Sequence, residues 1–247
     1  MADLFEIFNL SSDCYLCGCS VVSSKTEPKQ RAPIICEDCH RQLPLSGSAC
    51  NTCGLPLSLS LTNNKNTDQV ICGECLKNSP PYNLTISGFH YEAPINEFVT
   101  QLKFSSQFQL LPVLCDYLID KIEQHYGDSA LPSAIVAVPL HSKKLIQRGF
   151  NQSQLIVDRI AKVLDLTIIT KGVYRTKMTN AQSGLDSVER KGNMKNAFQI
   201  ECKLPEHIAI VDDVVTTGMT VSELANQARL HGAKKIDIWC LARAYDL

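Results

Sequence analysis

The feature that most constrains this chain is the run I-A-I-V-D-D-V-V-T-T-G-M-T at positions 208–220. Its first four residues, apolar and rich in β-branched types, predict a short buried strand of the kind found in parallel sheets. Asp212 and Asp213 end that strand in this reading. A turn of small residues (Thr216, Thr217, Gly218) follows, and a helix starts near Met219. The chemistry suits a ribose 5-phosphate. Paired carboxylates accept hydrogen bonds from vicinal hydroxyls, and the N–H groups of a Thr/Gly turn at a helix N-terminus surround a phosphate dianion. Thr216, Thr217 and Thr220 add hydroxyl donors, and Gly218 lets the backbone approach closely. No Gly-Lys-Ser/Thr follows the glycine, so the turn is not a Walker A loop. The bland alternative is an ordinary strand–turn–helix with a solvated acid pair.

Position by position, the segment resembles the PRPP-binding motif of type I phosphoribosyltransferases: a hydrophobic strand, two acids, then T-T-G-x-T. The resemblance implies that Asp212, Asp213, Val214, Val215, Thr216, Thr217, Gly218, Met219 and Thr220 bind PRPP.

A second feature lies near the other end. Eight of the 12 cysteines fall into four Cys-x-x-Cys pairs, Cys14/Cys17, Cys36/Cys39, Cys50/Cys53 and Cys72/Cys75, all within the first third of the chain. The first residues carry acids (Asp3, Glu6) and no basic n-region, so no signal peptide is expected. No apolar run is long enough to span a bilayer. The expectation is a cytoplasmic protein without membrane insertion, where stable disulfides are rare. The pairs therefore read as knuckles that each present two thiolates to a tetrahedral zinc ion. A glycine after Cys17 and after Cys53 helps the knuckle turn. Redox Cys-x-x-Cys motifs usually come singly.

Four pairs make two four-cysteine sites, the pattern of a double zinc ribbon. Sequential pairing would join Cys14, Cys17, Cys36 and Cys39 on one zinc and Cys50, Cys53, Cys72 and Cys75 on the other. A cross-braced arrangement is an open alternative. Cys19 and His40 are close enough to compete but read as neighbours of the site. All-thiolate zinc leaves no position for substrate, so both ions are structural. A module this small would fold largely through metal binding, with a core separate from that of the larger domain. Cys115, Cys202 and Cys240 read as buried apolar residues, and 61–69 as a polar loop.

The composition changes after Pro80-Pro81, which divides the chain into expected domains at 1–82 and 83–247. Residues 86–91 alternate as a strand, and 94–104 and 110–125 have helical apolar spacing. Lys103, at the end of the first helix, is either a phosphate contact or a solvated lysine. The buried strand 134–138 leads into Leu140, His141, Ser142, Lys143, Lys144 and Arg148, and then a helix to Leu164. A basic loop between strand and helix makes an anion-binding crevice; the alternative is a basic surface turn. The polar stretch 174–198 reads as a mobile flap or a solvated loop. Gly232 stops the helix that begins near Met219, and 235–243 supplies a final strand. Strands near 134–138, 167–169, 208–211 and 236–241 alternate with helices. That order predicts a doubly wound, mainly parallel α/β sheet with its ligand outside the strands' carboxyl ends. The net charge of −1 and 6% aromatic content make no case for a stand-alone single-strand binder.

The run V-P-L-H-x-x-K-x-x-x-R-G-F-N-Q from Val138, the paired cysteines and D-D-V-x-T-T-G-x-T together resemble the ComF family, with its GntX-like DNA-utilisation proteins. Arg175, Thr179, Gln182, Leu185, Arg190, Asn193 and Ala197-Phe198 meet a further stretch of that pattern. The resemblance implies a zinc-ribbon module joined to a type I phosphoribosyltransferase-like domain that handles incoming single-stranded DNA, with a helicase-type DNA-translocating partner. It implies a pyrophosphate loop at 140–148, a closing loop carrying Arg175, Gln182 and Arg190, and PRPP bound with magnesium. The alternative is an active magnesium-dependent phosphoribosyltransferase. No stretch announces its acceptor pocket, and a shared fold does not establish turnover.

Overall fold

Runs of apolar, β-branched residues become strands of a parallel sheet covered on both faces. The computed structural model describes residues 13–20, 35–57, 70–104, 108–178 and 196–245. Among these, β1 (Leu84–His90), β2 (Ala134–Ala137) and β3 (Thr167–Ile168) share one sheet with β6 (His207–Val215) and β7 (Lys235–Arg243), in the order β1-β7-β6-β2-β3. Every pairing in it is parallel. Between β3 and β6 the chain forms a separate antiparallel pair, β4 (Val173–Arg175) with β5 (Phe198–Ile200). The sequence reading had placed β4 and β5 at the ends of a polar flap. Each is only three residues long, too short for an alternating pattern to stand out.

Three helices, α3 (Ile95–Phe104), α4 (Leu111–Tyr126) and α6 (Gln152–Leu164), contribute to one core with Ile95, Leu118, Ile122, Ile156 and Trp239 buried in it. A second core joins the β4–β5 pair to α7 (Met219–Leu230) through Phe198, Ile210, Val221, Leu224 and Ile238. From β2 the chain passes through α5 (Ser142–Arg148) and α6 to β3 on one side. From β6 it passes through α7 to β7 on the other. The winding therefore reverses between β2 and β6, which is where open α/β sheets hold their ligands.

Register opens that crevice. β2 ends with Ala137 opposite Val211, whereas β6 continues along β7 through the pairs Asp212–Cys240, Val214–Ala242 and Val215–Arg243. The strand thus runs through both carboxylates instead of ending at them, which corrects the reading from sequence. The apolar run of β7 keeps a hydrogen-bonding partner beside residues 212–215, while their other edge extends beyond β2.

The cysteine-rich segment carries two short helices, α1 (Glu37–Arg41) and α2 (Gly73–Lys77). Its first half does not have a core of its own: Cys14, Ile35 and Leu43 belong to the core of α3 and α4. The Tyr15 ring meets Phe98 edge-on at 6.2 Å, and His40 lies 5.2 Å from Tyr117. A ribbon with so few apolar residues gains burial by lending them to the larger core. The second half keeps a small cluster of Cys50, Cys53 and Cys75. It docks on β1, where the Thr85 N–H donates to Asn51 O at 2.9 Å and Thr85 Oγ1 to Thr52 O at 2.6 Å. Gly54 is left-handed (φ 70°), and a Cβ there would lie 2.8 Å from Thr85 Cγ2.

Candidate ribose-phosphate crevice and four-cysteine centres

The two acids of β6 are each held by a neighbouring helix. Asp212 Oδ1 accepts from Ser153 Oγ of α6 at 2.9 Å, and Asp213 Oδ2 meets Lys103 Nζ of α3 at 2.6 Å. Asp213 is only 7% exposed, so the pair is less solvated than its sequence context suggested. Burial, reinforced by the Asp213 charge, pushes the Asp212 carboxyl up to about 7, with the Ser153 hydroxyl and Lys103 pulling the other way. Lys103 thus serves as the counter-charge to the acid pair, neither free nor a simple phosphate contact.

Beyond Val215 the chain turns through exposed Thr216 and Thr217 into α7. Gly218 sits at the N-cap with φ 75°, a conformation that favours glycine. A Cβ at that position would stand 3.2 Å from Tyr82 Oη. Gly218 supplies no side-chain cap and the Met219 N–H makes only a long 3.5 Å contact to Thr217 Oγ1, which leaves the first-turn N–H groups of α7 suited to an external anion. Residues 214–220 thus form the end of a longer strand, a turn and the first residues of α7.

The loop after β2 is pinned by Asn151, whose Nδ2 donates to Val138 O at 3.0 Å while its Oδ1 accepts from the Ser153 N–H at 3.2 Å. His141 caps α5, its Nδ1 accepting from the Lys143 N–H. Arg148 donates to Gln152 Oε1 at 2.9 Å, and Gln152 is almost fully buried. Lys144 is pushed down by burial and by the positive charges of Arg175 and Arg148. Arg175, on β4, is lowered by burial while Asp212 opposes the shift, and its guanidinium lies 5.5 Å from the Phe198 ring centroid. The backbone of His141 bridges to Arg175. Lys144, Arg148 and Arg175 thus form a cationic cluster that meets the acid pair through Arg175 and Asp212, with Leu140, His141, Ser142 and Lys143 forming the entry to α5. Gln182 and Arg190 lie outside the described residues, as does 61–69.

Sequence reasoning missed Ser153, Tyr82 and Arg243. Ser153 directly follows the G-F-N-Q run, so its closeness to a strand's acid was the one signal available. Tyr82 and Arg243 reach the turn only through tertiary packing.

The eight paired cysteines gather into two groups, Cys14/Cys17/Cys36/Cys39 and Cys50/Cys53/Cys72/Cys75, with ligand atoms within 4.8 Å of one another in each. This is the sequential pairing. Zinc–sulfur bonds of about 2.3 Å in a tetrahedron put sulfurs about 3.8 Å apart. The Cys17–Cys36 and Cys53–Cys72 separations are 3.7 and 3.8 Å. Backbone N–H groups of Cys36 and Cys72 donate to Cys14 Sγ and Cys50 Sγ at 3.3 and 3.2 Å, as thiolate ligands require. Both groups fit zinc.

No protein-family model matches the chain. Among curated proteins it is 36% identical over 171 residues to the DNA utilization protein YhgH of Escherichia coli strain K12, covering 68% of this chain and 75% of that one. To competence protein F of Haemophilus influenzae it is 34% identical over 175 residues, covering 68% and 76%. A more distant match, 26% over 157 residues, is competence protein ComFC of Streptococcus pneumoniae, covering 63% and 66%. Among solved structures, the purine phosphoribosyltransferase of Pyrococcus horikoshii overlays 56% of this chain and 74% of its own at 21% identity and a TM-score of 0.35. With identities of this size over most of the relatives' length, and with paired-cysteine ribbons joined to an α/β domain, the chain belongs to the ComF family, that of competence protein F and DNA utilization protein YhgH.

Proposed function

We propose that the α/β domain binds PRPP in the crevice between β2 and β6, and that the protein acts in the cytoplasm on incoming single-stranded DNA with a helicase-type partner. The observation that carries the ribose-phosphate reading is the sandwich of charges at the crevice. Asp212 and Asp213 are held by Ser153 and Lys103, followed by the turn into the N-terminus of α7 on one side and facing, through Arg175, the cations Lys144 and Arg148 on the other. Vicinal hydroxyls would be accepted by the acids, a 5-phosphate by the turn at 214–220, and a pyrophosphate by the cations after β2. Lys103 already pairs Asp213, so magnesium would take most of its oxygen ligands from the bound pyrophosphate and from water. Two zinc ions would hold the ribbons. No helix among the described residues is long and apolar enough to cross a membrane.

Calorimetry with PRPP, with and without Mg²⁺, tests the site. Magnesium-enhanced binding supports it, and no binding in either condition removes it. The DNA role is drawn from the relatives' names, and oligonucleotide titration tests it. Affinity should fall with salt at a slope of roughly −0.7 per phosphate contact, and neutralising Lys143, Lys144 and Arg148 should flatten that slope. Absence of binding at low salt would remove direct DNA contact. The alternative, an active phosphoribosyltransferase, needs pyrophosphate release in the presence of an acceptor.

A further inference from the structure

Arg243, the last residue of β7, is 4% exposed, yet no carboxylate among the described residues is one of its hydrogen-bond partners. Its guanidinium donates to backbone carbonyls on two sides. Nε reaches Cys53 O, in a cysteine knuckle, at 2.8 Å. Nη1 reaches Val215 O at 3.0 Å, Ala244 O at 2.6 Å, and Thr216 O. A single buried cation therefore ties the second four-cysteine centre to the turn that follows the acid pair.

Two consequences arise from elementary chemistry. In a planar trans peptide the C=O and N–H point in opposite directions. Holding the carbonyls of Val215 (which also accepts the Ala244 N–H at 2.9 Å) and Thr216 on Arg243 turns the N–H groups of Thr216 and Thr217 away from it. The second consequence concerns charge. A buried arginine without a counter-ion is costly. Zinc held by four thiolates carries net negative charge, and the second four-cysteine group includes Cys53, the residue whose carbonyl Arg243 contacts. The metal centre thus offers compensation for the cation on the side of the Cys53 carbonyl. Around the first centre the packing is against other elements: Tyr15 meets Phe98 of α3, and His40 meets Tyr117 of α4.

We propose that Arg243 is a positioning residue for the phosphate turn, and that through it the second four-cysteine centre and the turn are linked, so that metal loss at Cys50/Cys53/Cys72/Cys75 weakens anion binding. The linkage deepens the ribose-phosphate reading above and rests on it for the identity of the ligand. Linkage is reciprocal, so a ligand in the turn slows loss of the second zinc and leaves the first unaffected.

The test uses the full chain loaded with zinc. Cys72→Ser opens the second centre without altering the Cys53 carbonyl, Cys36→Ser (made together with Cys19→Ser, so that the neighbouring thiol cannot replace the ligand) opens the first, and Arg243→Lys keeps the charge but loses the fork. Amide exchange of 214–220 is read against that of β2, and PRPP affinity is read by calorimetry. Cys72→Ser should speed exchange of the turn and weaken PRPP binding, each by about tenfold. Cys36→Ser should change neither. Arg243→Lys should reproduce the Cys72→Ser pattern with two zinc ions retained. Unchanged turn exchange in a Cys72→Ser protein that has lost its second zinc overturns the proposal, as does an equal effect from Cys36→Ser. If Cys72→Ser also unprotects β2, Arg243→Lys decides, and native turn exchange there overturns the proposal. If the wild type binds no PRPP, the ribose-phosphate reading fails, while the exchange measurements still decide the linkage.

Discussion

The first ribbon lends Cys14, Ile35 and Leu43 to the core of α3 and α4, whereas the second sits on β1 and reaches the turn at 214–220 through Arg243. Locally the two are near copies. Gly18 and Gly54 donate their N–H groups to Cys14 O and Cys50 O, both at 2.8 Å. Cys14 donates to Cys19 O at 2.7 Å and Cys50 to Leu55 O at 2.8 Å. Both knuckle glycines are left-handed, with φ 69° and 70°. One local solution to binding a metal has thus been docked in two ways. Knuckle geometry is written in a few adjacent residues, whereas what each knuckle does for the molecule depends on the surface it meets.

The largest effect that separates the ribbons should come from deleting a buried ligand in each. Structural zinc contributes about 10–16 kcal/mol of apparent binding free energy in small ribbons, so Cys14→Ser and Cys50→Ser should each hold one zinc ion where the wild type holds two. The damage should fall in different places. Cys14→Ser should raise amide exchange in α3 and α4, and Cys50→Ser in β1 and the turn at 214–220. Elemental analysis and exchange mass spectrometry read both, and the same exchange map for the two variants would erase the contrast.

Next in size is the acid pair, which lies in the crevice and outside either ribbon. Asp212→Asn with Asp213→Asn puts amide donors where acceptors are wanted, and PRPP affinity should fall by about one hundredfold. Zinc content should stay at two. Asp213→Asn alone also strands Lys103 in a mostly buried position, which should cost about 2 kcal/mol of stability in denaturant titration. A hundredfold loss of PRPP binding accompanied by zinc loss would mean that the crevice and the ribbons fail together.

These differences mark how far the chain could be read before folding. The strands at 134–137 and, over its apolar half 208–211, at 207–215, the helices at 95–104 and 111–126, and the four cysteine pairs are visible because each rests on a local pattern: an apolar run, a 3.6-residue period, a fixed ligand spacing. The Asp212/Asp213 motif was legible for the same reason. What was not legible depends on distance along the chain. Nothing around Arg243 sets it apart from any polar residue ending a strand, and its partners Cys53 and Val215 lie far from it in sequence. Lys103 could be placed at a helix end, but its pairing with Asp213 needed the fold to bring α3 onto β6. The single core shared by the first ribbon and α4 was hidden because Ile35 and Leu43 have no periodic partners nearby.

A smaller effect should appear with pH. An acid whose folded-state pKa lies above its unfolded value keeps its proton longer when folded, so the folded state gains as pH falls. For Asp212, raised to about 7 by burial and by Asp213, the full penalty applies above that value and fades toward the ordinary carboxylate range near 3.8. Between pH 8 and pH 6 this group should add about 1 kcal/mol of stability. Asp212→Asn should remove that gain while leaving every other pH effect, those of the thiolate ligands included, in place. Urea unfolding of both proteins at both pH values gives the difference. Equal pH dependence in the two would show that burial does not perturb Asp212.

The smallest expected effect probes a residue at which only the first ribbon carries an extra thiol. Cys19 of the first ribbon stands where the second has Leu55: both accept the backbone N–H of the leading cysteine, so the position is set by its carbonyl and not by its side chain. In the first ribbon, however, that side chain is a thiol 3.0 Å from Cys17 Sγ and outside the group of four. We predict from this closeness that it can replace a ligand lost beside it. Cys19→Ser should keep two zinc ions and change stability by less than about 0.5 kcal/mol, as for an ordinary exposed substitution. Cys17→Ser should also keep two, because Cys19 can turn onto the metal from its present position. The double variant Cys17→Ser/Cys19→Ser should fall to one. In the second ribbon Cys53→Ser should fall to one at once, since Leu55 offers no sulfur. Zinc counts after exhaustive dialysis distinguish these cases. A Cys17→Ser protein with a single zinc would show that the knuckle geometry admits only its four paired cysteines, and that the two ribbons are equivalent as metal sites, differing only in where they dock.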